Sequence, residues 1–180
     1  MFDRLFGRKK EQPQHAPAAA PRVEPQQGAA PAHTAPGTRI SYHPELVGEL
    51  RNDHQQLLRV FGEINAAHQA GDLSKTSALL NNFKSALSAH LLKENVRLYI
   101  YLERALASDP ASHALVHQFR AEMDGIGKAV LDFLARYRDI AVDPSLAGSF
   151  GADLAAIGKV LVQRIENEEN TLYPLYMAEY

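Results

Sequence analysis

From residue 44 to residue 174, the large apolar residues of this chain recur at intervals of three and four. This is the period of an amphipathic α-helix. The pattern is interrupted at Gly71-Asp72, at Ser108-Asp109-Pro110 and at Asp143-Pro144, and such residues end helices or begin them. The spacing therefore predicts four helices, over about 44–70, 74–107, 110–137 and from 143 to Pro174, which should kink or end the last one.

The connections between these four helices are short, which favours antiparallel neighbours. No segment shows the alternation of a β-strand. We therefore predict an all-α fold, an antiparallel up-down-up-down four-helix bundle over residues 40–180. About 140 residues are enough to bury a hydrophobic core.

Residues 1–39 have a different composition. From Glu11 to Thr38 the chain is mostly Ala, Pro, Gln, Gly and His, with almost no large apolar residue, which predicts a disordered tail. The start, MFDRLFGRKK, is short, basic and amphipathic. It is compatible with weak attachment of residues 1–10 to an anionic membrane surface, but a solvated tail is the preferred interpretation.

The composition argues against several classes of function. The formal net charge is −2 and the helical part has no basic block, which argues against nucleic-acid binding. The absence of cysteine excludes disulfides, thiol catalysis and thiolate metal sites. No apolar run approaches the length of a membrane span, and the N-terminus lacks the apolar middle of a secretion signal, so we expect a cytoplasmic protein. We also expect no enzymatic activity, since no nucleophile–base pair or phosphate-binding glycine loop is present.

Counting along antiparallel helices brings several polar side chains to one level. His54 lies about as far before the end of the first helix as His90 lies after the start of the second. Glu94, one turn beyond His90, shares its helix face. The same count through the remaining helices reaches Met123, Arg164 and Glu168. A buried charge needs a partner or a metal ion, because an isolated one costs several kcal/mol. We therefore predict a shared polar site at this level.

Three stretches of this sequence resemble the hemerythrin-like, HHE cation-binding domains: DHQQLL at Asp53, HLLKEN at His90 and RIENEENTLYP at Arg164. The resemblance covers the helical part of the chain. It implies a four-helix bundle that holds two oxo-bridged irons and binds dioxygen or acts in sensing. Transferred by position, it implies the metal ligands His54, His90, Glu94 as bridging carboxylate, and either Glu168 or Glu169.

Two helices depart from the family pattern. Phe119 and Met123 stand where the third helix should supply ligands, and Arg164 stands where the fourth should carry a histidine. Methionine is a poor donor to hard iron, and arginine cannot coordinate. Two hypotheses follow. In one, His54, His90, Glu94 and Glu168 hold a single metal. In the other, the site is metal-free and Arg164 pairs with the carboxylates.

The resemblance makes iron the expected metal, in a mononuclear or degenerate di-iron site, although nitrogen and oxygen ligands also suit zinc, manganese or cobalt. A single metal would leave room for a small ligand such as dioxygen. The corresponding functions are a metal-binding sensor or store, whose tail links it to a protein partner, and a metal-free protein-interaction module.

Two tyrosines lie close to the predicted ligands in the sequence. Tyr99 and Tyr173 each follow a glutamate by five residues. Either hydroxyl could hydrogen-bond a ligand carboxylate. Packing at the end of the bundle is the preferred interpretation.

Overall fold

The computed structural model describes residues 33–178. The first helix is Leu46–Gln69 and the third is Pro110–Arg136. The second comprises an α-helical segment Leu73–Lys93, a π-helical segment Glu94–Tyr99 and an α-helical segment Ile100–Ala105. The fourth comprises a 3₁₀ turn Pro144–Leu146, an α-helical segment Ala147–Asn167, a π-helical segment Glu168–Leu172 and a 3₁₀ turn Tyr173–Leu175.

The packing of these helices gives a four-helix bundle. The first and third helices each pack against the second and the fourth. Residues 33–178 contain no β-strand, and one isolated antiparallel bridge joins Thr34 to Ser41. The predicted all-α bundle is therefore confirmed.

Three aspartates fix the starts of the later helices. The Asp72 carboxylate accepts a hydrogen bond from the backbone N–H of Lys75 at 2.9 Å. Asp109 and Asp143 accept in the same way from backbone N–H groups that follow them. Each satisfies donors that have no partner within the first helical turn. The interruptions in the apolar pattern are thus capping sites, as the sequence indicated.

The apolar stripes form two hydrophobic clusters along the bundle. One contains Leu57, Leu87, Val130 and Leu161, among others. The other contains Leu50, Leu98, Phe119 and Leu172, among others. On the first, second and fourth helices, the buried histidines and the buried charged residues lie in sequence between members of the two clusters. The polar layer is therefore enclosed by apolar packing at both ends.

The packed part of the chain begins earlier than residue 40. Ala35 is fully buried in the second cluster, and its N–H donates to the carbonyl of Ile40 at 2.9 Å. Gly37, with φ of 68°, supplies the left-handed conformation of the turn between them. Part of the predicted tail, from residue 33 to 39, thus packs onto the bundle. The disorder and membrane attachment predicted for residues 1–32 fall outside the described residues.

The fourth helix contains a longer apolar stretch than predicted. Over Pro144–Leu175 it is long and apolar enough, by length and composition alone, to cross a membrane, with a window of mean hydropathy 1.3. The expectation that the chain has no such run is therefore wrong. The helix buries Phe150, Leu154 and Leu161 in the bundle. One such helix is weak evidence for a membrane span, because bundle core helices meet the same criterion.

Candidate metal centre

The first, second and fourth helices bring four potential metal ligands together. His54, His90, Glu94 and Glu168 are all buried, and each offers one donor atom within 4.8 Å of the others. Nε2 of His54 lies 3.2 Å from Oε2 of Glu168, and Nε2 of His90 lies 3.7 Å from Oε2 of Glu94. These are the four residues that the sequence predicted as one site.

The dimensions of this ligand cluster fit one metal ion. Nitrogen and oxygen donors lie about 2.0–2.2 Å from such an ion, so two donors of one ion are at most about 4.4 Å apart. The cluster would need to contract by only a few tenths of an ångström. Oε2 of Glu94 is buried and has no hydrogen-bond partner among the described residues. Such an orphaned oxygen is costly, and a bound cation would satisfy it. Two imidazoles and two carboxylates therefore suit a divalent ion.

A carboxylate outside the cluster orients His54, and a second carboxylate lies near His90. Oε1 of Glu169 lies 2.8 Å from Nδ1 of His54. An Nδ1–H that donates to Glu169 leaves the Nε2 lone pair directed at the cluster. Oδ2 of Asp53 lies 3.5 Å from Nδ1 of His90, on the corresponding side of that ring. The structure thus distinguishes the two adjacent glutamates: Glu168 faces the cluster, and Glu169 positions His54.

Arg164 places a fixed positive charge beside the cluster. Its Nε donates to Oε1 of Glu168 at 2.6 Å, and its NH2 group donates to the Tyr99 hydroxyl at 2.7 Å. The guanidinium carbon lies 4.8 Å from the centroid of the Phe119 ring, a cation–π contact. Oε2 of Glu122 is 3.5 Å from NH1. Arg164 is therefore held on several sides while it is almost completely buried.

The three departures from the family pattern lie around this guanidinium. Phe119 lies against it, and Met123 is buried and lines the same cavity as Arg164. Phe119 and Arg164 have no lone pair to donate, and the thioether of Met123 is a poor donor to a hard metal ion. Where the resemblance implied ligands for a second iron, the structure has a cation and its apolar contacts.

Both tyrosine hydroxyls form hydrogen bonds within the site. The Tyr173 hydroxyl donates to Oε1 of Glu94 at 3.0 Å and lies 3.2 Å from Nε2 of His54. The Tyr99 hydroxyl accepts from Arg164. The interpretation that these tyrosines serve only packing is therefore wrong.

The two π-helical segments explain why both tyrosine hydroxyls reach the site. They begin at Glu94 and at Glu168, five residues before Tyr99 and Tyr173. In an α-helix a residue five positions on lies about 140° around the axis. In the wider π-helical turn, which closes with an i→i+5 hydrogen bond, it returns close to the starting face. Each tyrosine therefore faces the same layer as the glutamate that precedes it.

Burial alters the protonation of the cluster. Desolvation and the neighbouring Glu168 raise the pKa of Glu94 to about 8. Desolvation and the nearby His54 lower the pKa of His90 to about 4. Burial opposes protonation of His54, but hydrogen bonds to Glu168 and Glu169 outweigh it and raise the pKa of His54. Without a cation, the site therefore favours a neutral Glu94, and a bound cation would favour its ionised form.

A comparison with protein families agrees with this geometry. The hemerythrin HHE cation-binding domain matches residues 45–176, a range that includes all four helices and the whole ligand cluster. No curated protein and no solved structure shows a significant match. The matched range is well over half of the chain, which therefore belongs to the hemerythrin HHE cation-binding domain family.

Proposed function

We propose that this chain binds a single iron ion through His54, His90, Glu94 and Glu168 and acts as a cytoplasmic, non-enzymatic sensor or regulator. One observation carries the proposal: the ligands for one ion are complete, while Arg164 donates to Glu168 at 2.6 Å beside them. Four protein donors leave positions open on an octahedral ion for water or a small ligand such as dioxygen. A change at those positions is the signal that we propose is passed to a protein partner.

The charge of Arg164 is the reason for proposing one ion rather than two. An arginine side chain does not lose its proton in proteins. A second cation about 4 Å from it would meet a repulsion of about 4 kcal/mol for each unit of the ion's charge, at a dielectric constant typical of such sites. The second ion would also lack imidazole ligands from the third and fourth helices, where Met123 and Arg164 stand.

Metal content tests the proposal directly. Protein purified without chelator should contain close to one metal ion per chain by plasma mass spectrometry, and Glu94→Gln should contain almost none, because the amide removes a charged donor without changing the shape. Glu63→Gln is the matched control, since Glu63 forms an exposed ion pair with Arg59. Two ions per chain in the wild-type protein would contradict the single site.

The alternative function is a metal-free protein-interaction module. The raised pKa of Glu94, about 8, favours it, because a neutral Glu94 with a hydrogen bond from Tyr173 needs no cation. In that case Arg164 balances Glu168 without a metal ion, and a partner would bind the outer surface. The effect of added iron on the melting temperature distinguishes the two functions. A ligand that binds only the native state raises the melting temperature, so anaerobic iron addition should leave the melting temperature of a metal-free module unchanged.

The role of Glu169 gives a further prediction. Glu169→Gln should weaken metal affinity by about 10-fold or more, the usual effect of losing a group that orients a metal-bound histidine. Competition with a chromophoric chelator would measure the affinity. Glu166→Gln, an exposed site on the same helix, is the control and should keep wild-type affinity. Equal affinities in the two variants would show that Glu169 does not position His54.

A further inference from the structure

A cavity of about 190 Å³ lies directly beside the ligand cluster. It borders His54, His90, Arg164 and Glu168 at one end. The rest of the wall is apolar and comes from four helices; it includes Leu57, Phe61, Phe83, Leu87, Leu161 and Ile165. No described residue fills this space, although most of its apolar wall belongs to the first hydrophobic cluster.

The volume of the cavity indicates the size of its occupant. An apolar cavity of roughly 150 Å³ lined by Leu, Ile and Phe stays free of water and takes up benzene. A water molecule, comparable in size to a diatomic gas, has a share of only about 30 Å³ in the liquid. A cavity of about 190 Å³ therefore matches a single aromatic ring or a compact hydrocarbon better than a diatomic molecule.

The wall of the cavity has a path to solvent between the first and fourth helices. Leu58 and Val162 line it and are 40% and 42% exposed, so the cavity wall reaches the surface at these two side chains, which form its mouth. Gly158 lies on the same side. A Cβ at this position would be 2.7 Å from Cε1 of Phe61, so only glycine lets that ring lie against the fourth helix at the cavity wall.

The charges at the polar end are balanced. Arg164 neutralises Glu168 through their 2.6 Å contact. The two charges of a divalent ion in the cluster would be matched by Glu94 and by Glu169, which is bonded to His54. With no surplus charge to pair with a buried ionic ligand, an uncharged occupant is favoured.

We propose that this cavity binds a small, uncharged, largely apolar organic molecule, the size of one aromatic ring, in contact with the metal ligands. Binding in the cavity does not depend on the proposed function. The effect of binding on a metal ion does rest on the proposed function. An occupant that touches His54, His90 and Glu168 would let the metal site respond to an organic molecule.

Benzene is the probe, added to the full chain with and without metal. Saturating benzene should raise the melting temperature by roughly 2–4 °C, a shift typical of modest ligand stabilisation in a domain of this size. Val162→Trp, which fills the mouth, should abolish the rise. Val160→Trp is the matched control: Val160 is 43% exposed on the same helix but does not line the cavity, so its benzene response should be retained.

Two further readouts complete the test. Methyl resonances of Leu57, Leu87 and Leu161 should shift with benzene in the wild-type protein, and the visible bands of cobalt-loaded protein should change. No rise in melting temperature, or an equal rise in Val162→Trp, would overturn the cavity assignment. An unchanged cobalt spectrum together with a clear rise in melting temperature would overturn the proposal that the occupant contacts the metal ligands. Metal content, measured on the same samples, tests the proposed function separately.

Discussion

Replacing Arg164 by leucine is expected to lower the free energy of unfolding of the metal-free protein by about 3–5 kcal/mol, the usual cost of removing one partner of a buried ion pair. Leucine would leave the carboxylate of Glu168 buried without its 2.6 Å partner, and the Tyr99 hydroxyl would lose the hydrogen bond from Arg164. Urea denaturation in the presence of chelator would measure the loss.

The matched control for this substitution is Arg136→Leu. Arg136 forms a similarly short ion pair with Asp153, but the pair is largely exposed, so about 1 kcal/mol or less should be lost. Added metal should restore part of the stability of Arg164→Leu, because a cation would again face Glu168. A loss in Arg164→Leu no larger than in Arg136→Leu would contradict a dependence of Glu168 on the guanidinium.

The stability of the metal-free protein should also depend on pH. The pKa of Glu94 is about 8 in the folded protein and 4.5 in the unfolded chain. Glu94 therefore contributes fully to the free energy of unfolding below pH 4.5, and this contribution is lost as the pH rises towards 8. His54, whose pKa is raised, acts in the same direction. His90, whose pKa is lowered to about 4, contributes fully above 6.5 and loses its contribution as the pH falls. Stability should therefore be greatest between pH 4.5 and 6.5.

Between pH 6.5 and 8 the Glu94 contribution should fall by about 2 kcal/mol, from the value of one pKa unit. Urea denaturation across this range, in the presence of chelator, would measure it. Glu94→Gln cannot ionise and should lose the Glu94 part of the slope, while the part from His54 remains. If the wild-type protein and Glu94→Gln have the same slope in this range, Glu94 is already ionised at lower pH.

Much of the fold follows from residues that act locally. Asp72, Asp109 and Asp143 end the apolar patterns because they cap the helices that follow. His54 and His90 could be placed at one level because antiparallel helices rise by the same distance for each residue. The convergence of the ligand cluster therefore depends on helix length and direction, which the sequence reveals.

The rest of the site depends on properties that a uniform helix does not have. The roles of Glu168 and Glu169 could not be separated by counting, because the helix changes to π-helical geometry at Glu168. The hydrogen bond from the Tyr173 hydroxyl to Glu94 depends on the same change to π-helical geometry. The cavity is a packing defect formed jointly by side chains from all four helices, and no local pattern of residues encodes such a space.

The two π-helical segments also leave a trace in the sequence. Each turn of this kind contains a surplus residue relative to an α-helical turn, so the apolar stripe that follows it is displaced around the helix axis. At both π-helical segments the displaced stripe buries a leucine and the tyrosine that follows it: Leu98 with Tyr99, and Leu172 with Tyr173. The repeated Leu-Tyr pair, four and five residues after a buried glutamate, therefore marks the level of the ligand cluster on both helices.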